Sequence, residues 1–343
     1  MKKRIITAFL AMAMTAALFA GCSSSSSSSG SSAPASDAAS TPAASDAAST
    51  PAASGEAEYA VILKNQTSDF WMKMKEGVEA KAAEMGIKVD IYAAQSEEDT
   101  EGQLKIFENC LTKNYKAIGV APLSPVNVVP AVVKANEKGI YVMNIDEKID
   151  MDTLKNAGGS VIAFATTDNV KVGEKGAQYI IEQLPDGGKV AIIEGKAGNA
   201  SGESRKQGAT EAFTAAGNFE IVASLPADWD RQKALDVATS MIQGNPDLKG
   251  IYCCNDTMAM GALQAVINAN KLGEILVVGT DGNEDAVQSV QNGELSATVA
   301  QDPAGIGAAS LEAMVKAVND KAAIDPNVEP ETIPVDSKLI VKE

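Results

Sequence analysis

The sequence predicts an α/β protein built as two doubly wound parallel-sheet lobes, and three observations carry the prediction. Short apolar runs alternate with longer amphipathic stretches from Glu58 onward, the rhythm of β-α-β units. That rhythm occurs as two successive series. The stretch from Glu58 to Glu343 is also too long for one small core and suits two domains.

The first series of strand-like runs comprises Tyr59–Leu63, Val89–Tyr92, Ala117–Ala121, Ile140–Ile145 and Val161–Ala165. The second comprises Val190–Ile193, Ile221–Ala223, Gly250–Cys254, Ile275–Gly279 and Ala297–Ala300. Helical stretches lie between them. Phe70 to Met85 reads as a helix closed by Gly86 in the C′ position. Ser124-Pro125 reads as an N-cap followed by proline at the first helical position.

Ahead of the folded region, Lys2, Lys3 and Arg4 precede an apolar run from Ile5 to Ala20 that stops at Gly21-Cys22. Residues 1–21 therefore read as a secretory signal rather than a membrane span, which needs about 20 apolar residues between polar flanks. Leu18-Phe19-Ala20-Gly21-Cys22 resembles the lipobox of bacterial lipoproteins, with Phe19 a departure from that pattern; the resemblance implies lipidation of Cys22. Residues 22–57 hold almost no side chain larger than alanine that could be buried, and Ala35–Ala43 recurs as Ala44–Ala52. They are expected to form a disordered Ser/Ala/Pro tether between membrane and domain.

Charge and residue usage narrow the partners. A formal net charge of -16 without a single histidine argues against nucleic acid, whose phosphates call for clustered Lys and Arg. It also removes the commonest general base and neutral metal ligand. With Cys22 set aside, Cys110, Cys253 and Cys254 are odd in number and lack zinc spacing, so they predict neither a disulfide framework nor a metal site. Cys253 and Cys254 sit in an apolar run and read as small buried hydrophobes. No Asp-x-Asp-x-Asp calcium loop occurs, and no cofactor is indicated.

Open parallel sheets bind ligands beyond the carboxyl ends of their strands. The side chains expected there are Lys64, Asp146 with Glu147, Arg205, Asn255, Asp281 and Gln301. Both tryptophans join them: Trp71, beside Phe70, opens the helix after the first strand, and Trp229 follows the run ending at Ala223. Carboxylates and amides can bridge neighbouring hydroxyls, Lys and Arg donate, and flat rings cover C–H faces, so the set suits a monosaccharide. Plainer roles stay open. Asn255 can cap a helix beginning near Thr257, Asp281-Gly282 can be a turn, Lys64 a solvated strand end, and the tryptophans core.

The same residues carry a family resemblance. From Glu58 to Glu343 the chain resembles the pentose and hexose receptors of the type I periplasmic binding fold, and above all their allose-binding subgroup. The motifs are Tyr59–Lys64, Asn144–Asp150, Gly195–Glu203, Pro226–Arg231, Asn255–Gly261 and Val278–Gly282. The resemblance implies that Lys64, Asp146, Arg205, Asn255, Asp281 and Gln301 hydrogen-bond a sugar while Phe70, Trp71 and Trp229 pack on its faces. D-allose is the first expectation and D-ribose the second. Ser68-Asp69 stands where related receptors often carry Asn-Pro, which puts a direct contact from Ser68 in doubt.

The resemblance further implies an amino lobe of 58–167 plus 302–335, a carboxyl lobe of 168–301 plus 336–343, and a three-stranded hinge between them. The expected protein is a monomeric, extracytoplasmic lipoprotein that hands its sugar to an ABC permease or, alternatively, presents it to a chemotaxis or signalling receptor. An enzyme using Asp146 and Asp281 as an acid/base pair would need a positioned leaving group or water. A transcriptional regulator of like fold would need a basic helix-turn-helix where the signal segment and serine tether stand.

Overall fold

The computed structural model describes residues 56–343; the predicted signal segment, Cys22 and the tether through residue 55 lie outside the described residues. The first half runs β1 (Tyr59–Leu63), α1 (Asp69–Met85), β2 (Val89–Ala93), α2 (Thr100–Cys110), β3 (Ala117–Val120), α3 (Val129–Glu137), β4 (Tyr141–Ile145), α4 (Met151–Asn156) and β5 (Ala163–Thr167). The second runs α5 (Asn169–Gln183), β6 (Gly188–Glu194), α6 (Ala200–Ala216), β7 (Phe219–Pro226), α7 (Arg231–Gly244), β8 (Leu248–Cys253), α8 (Asp256–Asn268), β9 (Leu276–Asp281), α9 (Glu284–Asn292) and β10 (Ala297–Ala300). The chain then adds α10 (Pro303–Asp320), β11 (Glu331–Val335) and β12 (Lys338–Val341).

Two six-stranded sheets result, ordered β11-β5-β4-β3-β1-β2 and β12-β10-β9-β8-β6-β7. Each reverses strand order beside its first strand, which opens a crevice at the carboxyl ends. The central strands are buried on both faces, all five residues of β1 included, because helices cover both sides. Separate clusters fill the two faces of the first sheet, one around Leu63, Met74 and Met143 and one around Ile62, Phe107 and Ile118. The second sheet packs around Ile192, Phe213 and Tyr252. Cys110, Cys253 and Cys254 are free and buried; burial pushes the Cys254 thiol up to about 12, so it packs as a neutral group.

Helix α1 ends as the sequence predicts. Gly86 takes φ 65°, its amide donates to Ala83 O, and that of Ile87 to Ala82 O, a Schellman closure. The helix start expected at Ser124-Pro125 is not there: α3 begins at Val129, with Pro130 in its first turn. Ser124 and Asn127 instead bond each other's backbone amides in a turn, and Asn127 Nδ2 donates to Gln103 Oε1 at 2.9 Å. Local side-chain bonding wins over helix capping there.

Strands β11 and β12 also escape the apolar-run criterion. β11 is a largely exposed edge strand containing Pro334, and β12 is exposed at both ends with two half-buried residues between. β11 pairs parallel to β5, whereas β12 pairs antiparallel to β10, the one departure from parallel pairing in either sheet.

Candidate ligand-binding cleft

Polar groups reach the crevice from the carboxyl ends of several strands of both sheets. Lys64 follows β1 and is 2 % exposed, so it is no solvated strand end. Its Nζ donates to Glu147 Oε2 at 3.1 Å and lies 3.9 Å from Glu97 Oε2. Burial alone would lower the Lys64 pKa, but the carboxylates of Glu147, Glu97 and Asp146 together raise it.

From the second sheet, Arg205 reaches in from the second turn of α6. A Cβ on Gly173 would lie 1.9 Å from Arg205 O, so glycine is what lets α5 and α6 cross closely at this point. The guanidinium is then held from three directions: Nε donates to Asn169 Oδ1 at 2.8 Å, while Nη1 donates to Cys254 O at 2.7 Å and pairs with Asp281 Oδ1 at 3.4 Å. Its Cζ lies over Trp229, 6.0 Å from a ring centroid.

Between these cations lie two buried carboxylates. Burial pushes Asp146 up to about 7, against the pull of Lys64 and Arg205. Burial likewise raises Asp281 to about 6, against Arg205 and a bond from Gln301. Asp146 Oδ1 is buried without a hydrogen-bond partner among the described residues, as are Thr167 Oγ1 and Gln301 Oε1. Buried acceptors of this kind are costly unless another group donates to them.

The backbone is strained at the same point. Asp146, Asp228, Trp229 and Asp281 all have positive φ, of 58°, 52°, 64° and 123°. All four line one cavity. Such conformations cost roughly 1–3 kcal/mol each and persist where surrounding structure imposes them, commonly at ligand sites.

That cavity measures about 470 Å³, within the ~300–1,000 Å³ of small-molecule sites. Its aromatic walls come from both sheets. Phe70 and Trp71 meet edge to face, with centroids 5.0 Å apart and planes at 83°. The Trp71 indole Nε1 donates to Glu97 Oε1 at 3.1 Å. Trp229 stands opposite in sequence, on the segment after β7.

The residues singled out from sequence largely converge. Lys64, Phe70, Trp71, Asp146, Arg205, Trp229, Asn255 and Asp281 line the cavity. Gln301 joins through Asp281, donating Nε2 to Oδ1 at 2.7 Å. Asn255 does cap α8, accepting from the Met258 amide at 2.8 Å, and lines the cavity as well. Ser68 lines it too and makes no side-chain capping bond to α1; just ahead of the helix, Asn65 Oδ1 accepts from the Thr67 and Ser68 amides.

Sequence reasoning left out Glu97, Asn169, Asn199 and Ser201, and placed Glu147 at the carboxyl ends beside Asp146 without giving it a role in the site. Glu97, in the β2–α2 connection, and Ser201, at the start of α6, lie beyond strand ends, a signal that could have found them. Asn169 declares itself only through its contact with Arg205. No cluster of three or more Cys, Asp or Glu side chains placed to hold a metal ion occurs among the described residues.

Two α/β sheets whose carboxyl ends share one polar, aromatic-walled cleft define a solute receptor. The chain belongs to the periplasmic binding protein family: the model of the Periplasmic binding protein domain matches residues 59–322. It is 58% identical over 287 residues to the D-allose-binding periplasmic protein of Escherichia coli (strain K12), spanning 83% of this chain and 92% of that one. It is 36% identical over 244 residues to a ribose import binding protein of Bacillus subtilis (strain 168), spanning 71% and 76%. Among solved structures, an ABC transporter periplasmic solute binding protein from Actinobacillus succinogenes 130z with bound D-allose superposes with a TM-score of 0.78 at 32% identity, covering 84% of this chain and 98% of that one. A myo-inositol binding protein from Caulobacter superposes with a TM-score of 0.74 at 26% identity, covering 84% and 94%.

Proposed function

We propose that this protein is the extracytoplasmic substrate-binding component of an ABC sugar importer, that it takes D-allose before D-ribose, and that it releases the sugar unchanged. The observation that carries the reading is the partnerless buried oxygen of Asp146, set between the cations of Lys64 and Arg205 and walled by Phe70, Trp71 and Trp229. A pyranose offers what that constellation lacks: hydroxyl donors for a buried carboxylate and C–H faces for rings. The E. coli and A. succinogenes relatives, described by their names as allose-binding and allose-bound, support allose; the B. subtilis relative supports ribose as the second ligand.

In this reading Lys64, Asp146, Arg205, Asn255, Asp281 and Gln301 hydrogen-bond the sugar, and discrimination between epimers comes from polar groups left unpaired by the wrong one. Each such loss costs about 1–3 kcal/mol. The sheet memberships support an amino lobe of 58–167 plus 302–335 and a carboxyl lobe of 168–301 plus 336–343. The three connections between them act as a hinge, closure around ligand being the known motion of periplasmic binding proteins. Cys22 carries the lipid that anchors the monomer to the membrane through the Ser/Ala/Pro tether, beside its permease. Replacing Cys22 with Ser would release the protein from the membrane fraction.

The deciding experiment is calorimetric titration of residues 58–343 with D-allose, D-ribose, D-galactose and D-glucose, after unfolding and refolding to remove carried-over ligand. Tight allose binding that Asp146→Ala and Trp229→Ala abolish is the expected result. Binding of none of the four sugars would overturn the monosaccharide reading.

A further inference from the structure

One fully buried carboxylate touches both sheets at once. Glu147 follows Asp146 at the end of β4 and has no exposed surface. On its own side, Oε2 accepts from Lys64 Nζ at 3.1 Å. Across the cleft, Oε1 accepts from the Ser201 amide at 3.2 Å, and Oε2 accepts from the Ser201 hydroxyl at 3.0 Å.

Ser201 is the second residue of the 17-residue helix α6. The first amides of a helix have no acceptor within it, and a side chain at the N-cap normally supplies one. Here Asn199 occupies that position without a side-chain bond to the helix amides; its Oδ1 lies 3.0 Å from Ser201 Oγ, whose single proton is shared between it and Glu147 Oε2. The acceptor comes from the other sheet. Glu147 therefore caps α6 in trans, and its negative charge sits at the positive end of the helix dipole.

We propose that Glu147 is a positioning residue that latches the closed cleft, capping α6 from the opposite sheet while holding Lys64 in the ligand site. The inference rests on the reading that the cleft closes around a sugar. Its geometry explains why such a latch is reversible. On opening, Ser201 turns to water while Glu147 keeps its ion pair with Lys64, so no buried charge is stranded. It also joins the two halves of the site. Arg205 lies one turn along α6 from Ser201, and the seating of that first turn sets where the guanidinium meets Asp281 and Cys254 O. The other cross-cleft bonds are less buried: Lys196 Nζ donates to Glu97 O at 2.9 Å and Lys73 Nζ to Gly282 O at 3.5 Å.

The test uses Glu147→Gln, Ser201→Ala and the double variant, with two readouts. One is stopped-flow tryptophan fluorescence with D-allose. The other is the closed-state dwell time of the sugar-free protein, from single-molecule energy transfer between dyes on one introduced exposed cysteine per sheet, the native thiols of the described residues being buried. Glu147→Gln should raise the sugar dissociation rate roughly ten- to hundredfold with little change in association, and shorten the sugar-free closed dwell. Ser201→Ala leaves the Lys64–Glu147 pair intact and should act in the same direction, more weakly, with the double variant no worse than Glu147→Gln. Unchanged sugar-free dwell times in both single variants would overturn the latch, as would fully additive effects, which would mean that Glu147 acts only through Lys64. If the wild type binds no sugar, the proposed function falls, and the dwell times still decide the latch.

Discussion

Gly195 makes room for Trp229: a Cβ added to Gly195 would stand 2.0 Å from Cη2 of the Trp229 indole. Gly202 is less tight, its Cβ falling 3.0 Å from the same atom. Trp229 itself holds φ 64°, so its backbone has little freedom to give way. Gly195→Ala should therefore push the indole off its wall and weaken sugar binding at least tenfold, while the fold survives. Calorimetry beside far-ultraviolet circular dichroism checks this; unchanged affinity would mean that Trp229 does not pack on the ligand.

Proton linkage gives a second expectation. In the sugar-free closed cleft, burial raises Asp146 to about 7 and Asp281 to about 6. Hydroxyl donors from a sugar favour the ionised forms, so the loaded cleft has the lower carboxyl pKa values. Between the loaded and free values the sugar-free protein binds more protons. Affinity is then complete above about pH 7 and falls by up to roughly tenfold per unit as pH drops through that value. Titrations between about pH 5 and 8, in buffers of different ionisation enthalpy, should also show proton release on binding. A flat affinity profile with no proton release would exclude Asp146 as an acceptor of sugar hydroxyls.

The site was legible in the sequence to the extent that parallel topology makes it so. Once alternating runs set the strands, the residues after Leu63, Ile145 and Cys254 had to sit at one rim, and Lys64, Asp146 and Asn255 followed. Glu147 was harder because its role depends on a helix from the other sheet, and Asn169 because it depends on how closely Gly173 lets α5 approach α6. Edge strands β11 and β12 were hidden for another reason. Half-exposed and interrupted by Pro334, β11 lacks the apolar run that marks a buried strand. Ser124-Pro125 misled because Ser124 finds a nearer partner in Asn127.

Arg205 offers a stability test. It is 5 % exposed; its partners Asn169 and Cys254 are buried with it, and the Asp281 side chain keeps only 8 % of its surface exposed. Arg205→Met would strand the Asp281 carboxylate, and breaking a buried pair from one side costs about 3–5 kcal/mol. Thermal denaturation of the sugar-free protein at neutral pH should show Tm lower by roughly 5–15 °C. Arg205→Lys should recover only part of this, since an ammonium cannot reach three acceptors in the guanidinium's fixed geometry. Equal stability of all three proteins would show that the pair is open to water.

Asn255 allows its two roles to be separated. As the N-cap of α8 it uses Oδ1 to accept from the Met258 amide, which leaves its Nδ2 donors for the cavity that it lines. Aspartate caps as well as asparagine does, so Asn255→Asp should hold helix and protein stability within about 0.5 kcal/mol. It removes the amide donors, however, and adds a further carboxylate to a cleft that already confines Asp146 and Asp281. Sugar affinity should then fall at least tenfold with Tm almost unchanged, read from calorimetry and thermal denaturation on the same preparation. Were affinity preserved, Asn255 would be a helix cap and nothing more, and the donor set of the site would reduce to Lys64, Arg205 and Gln301.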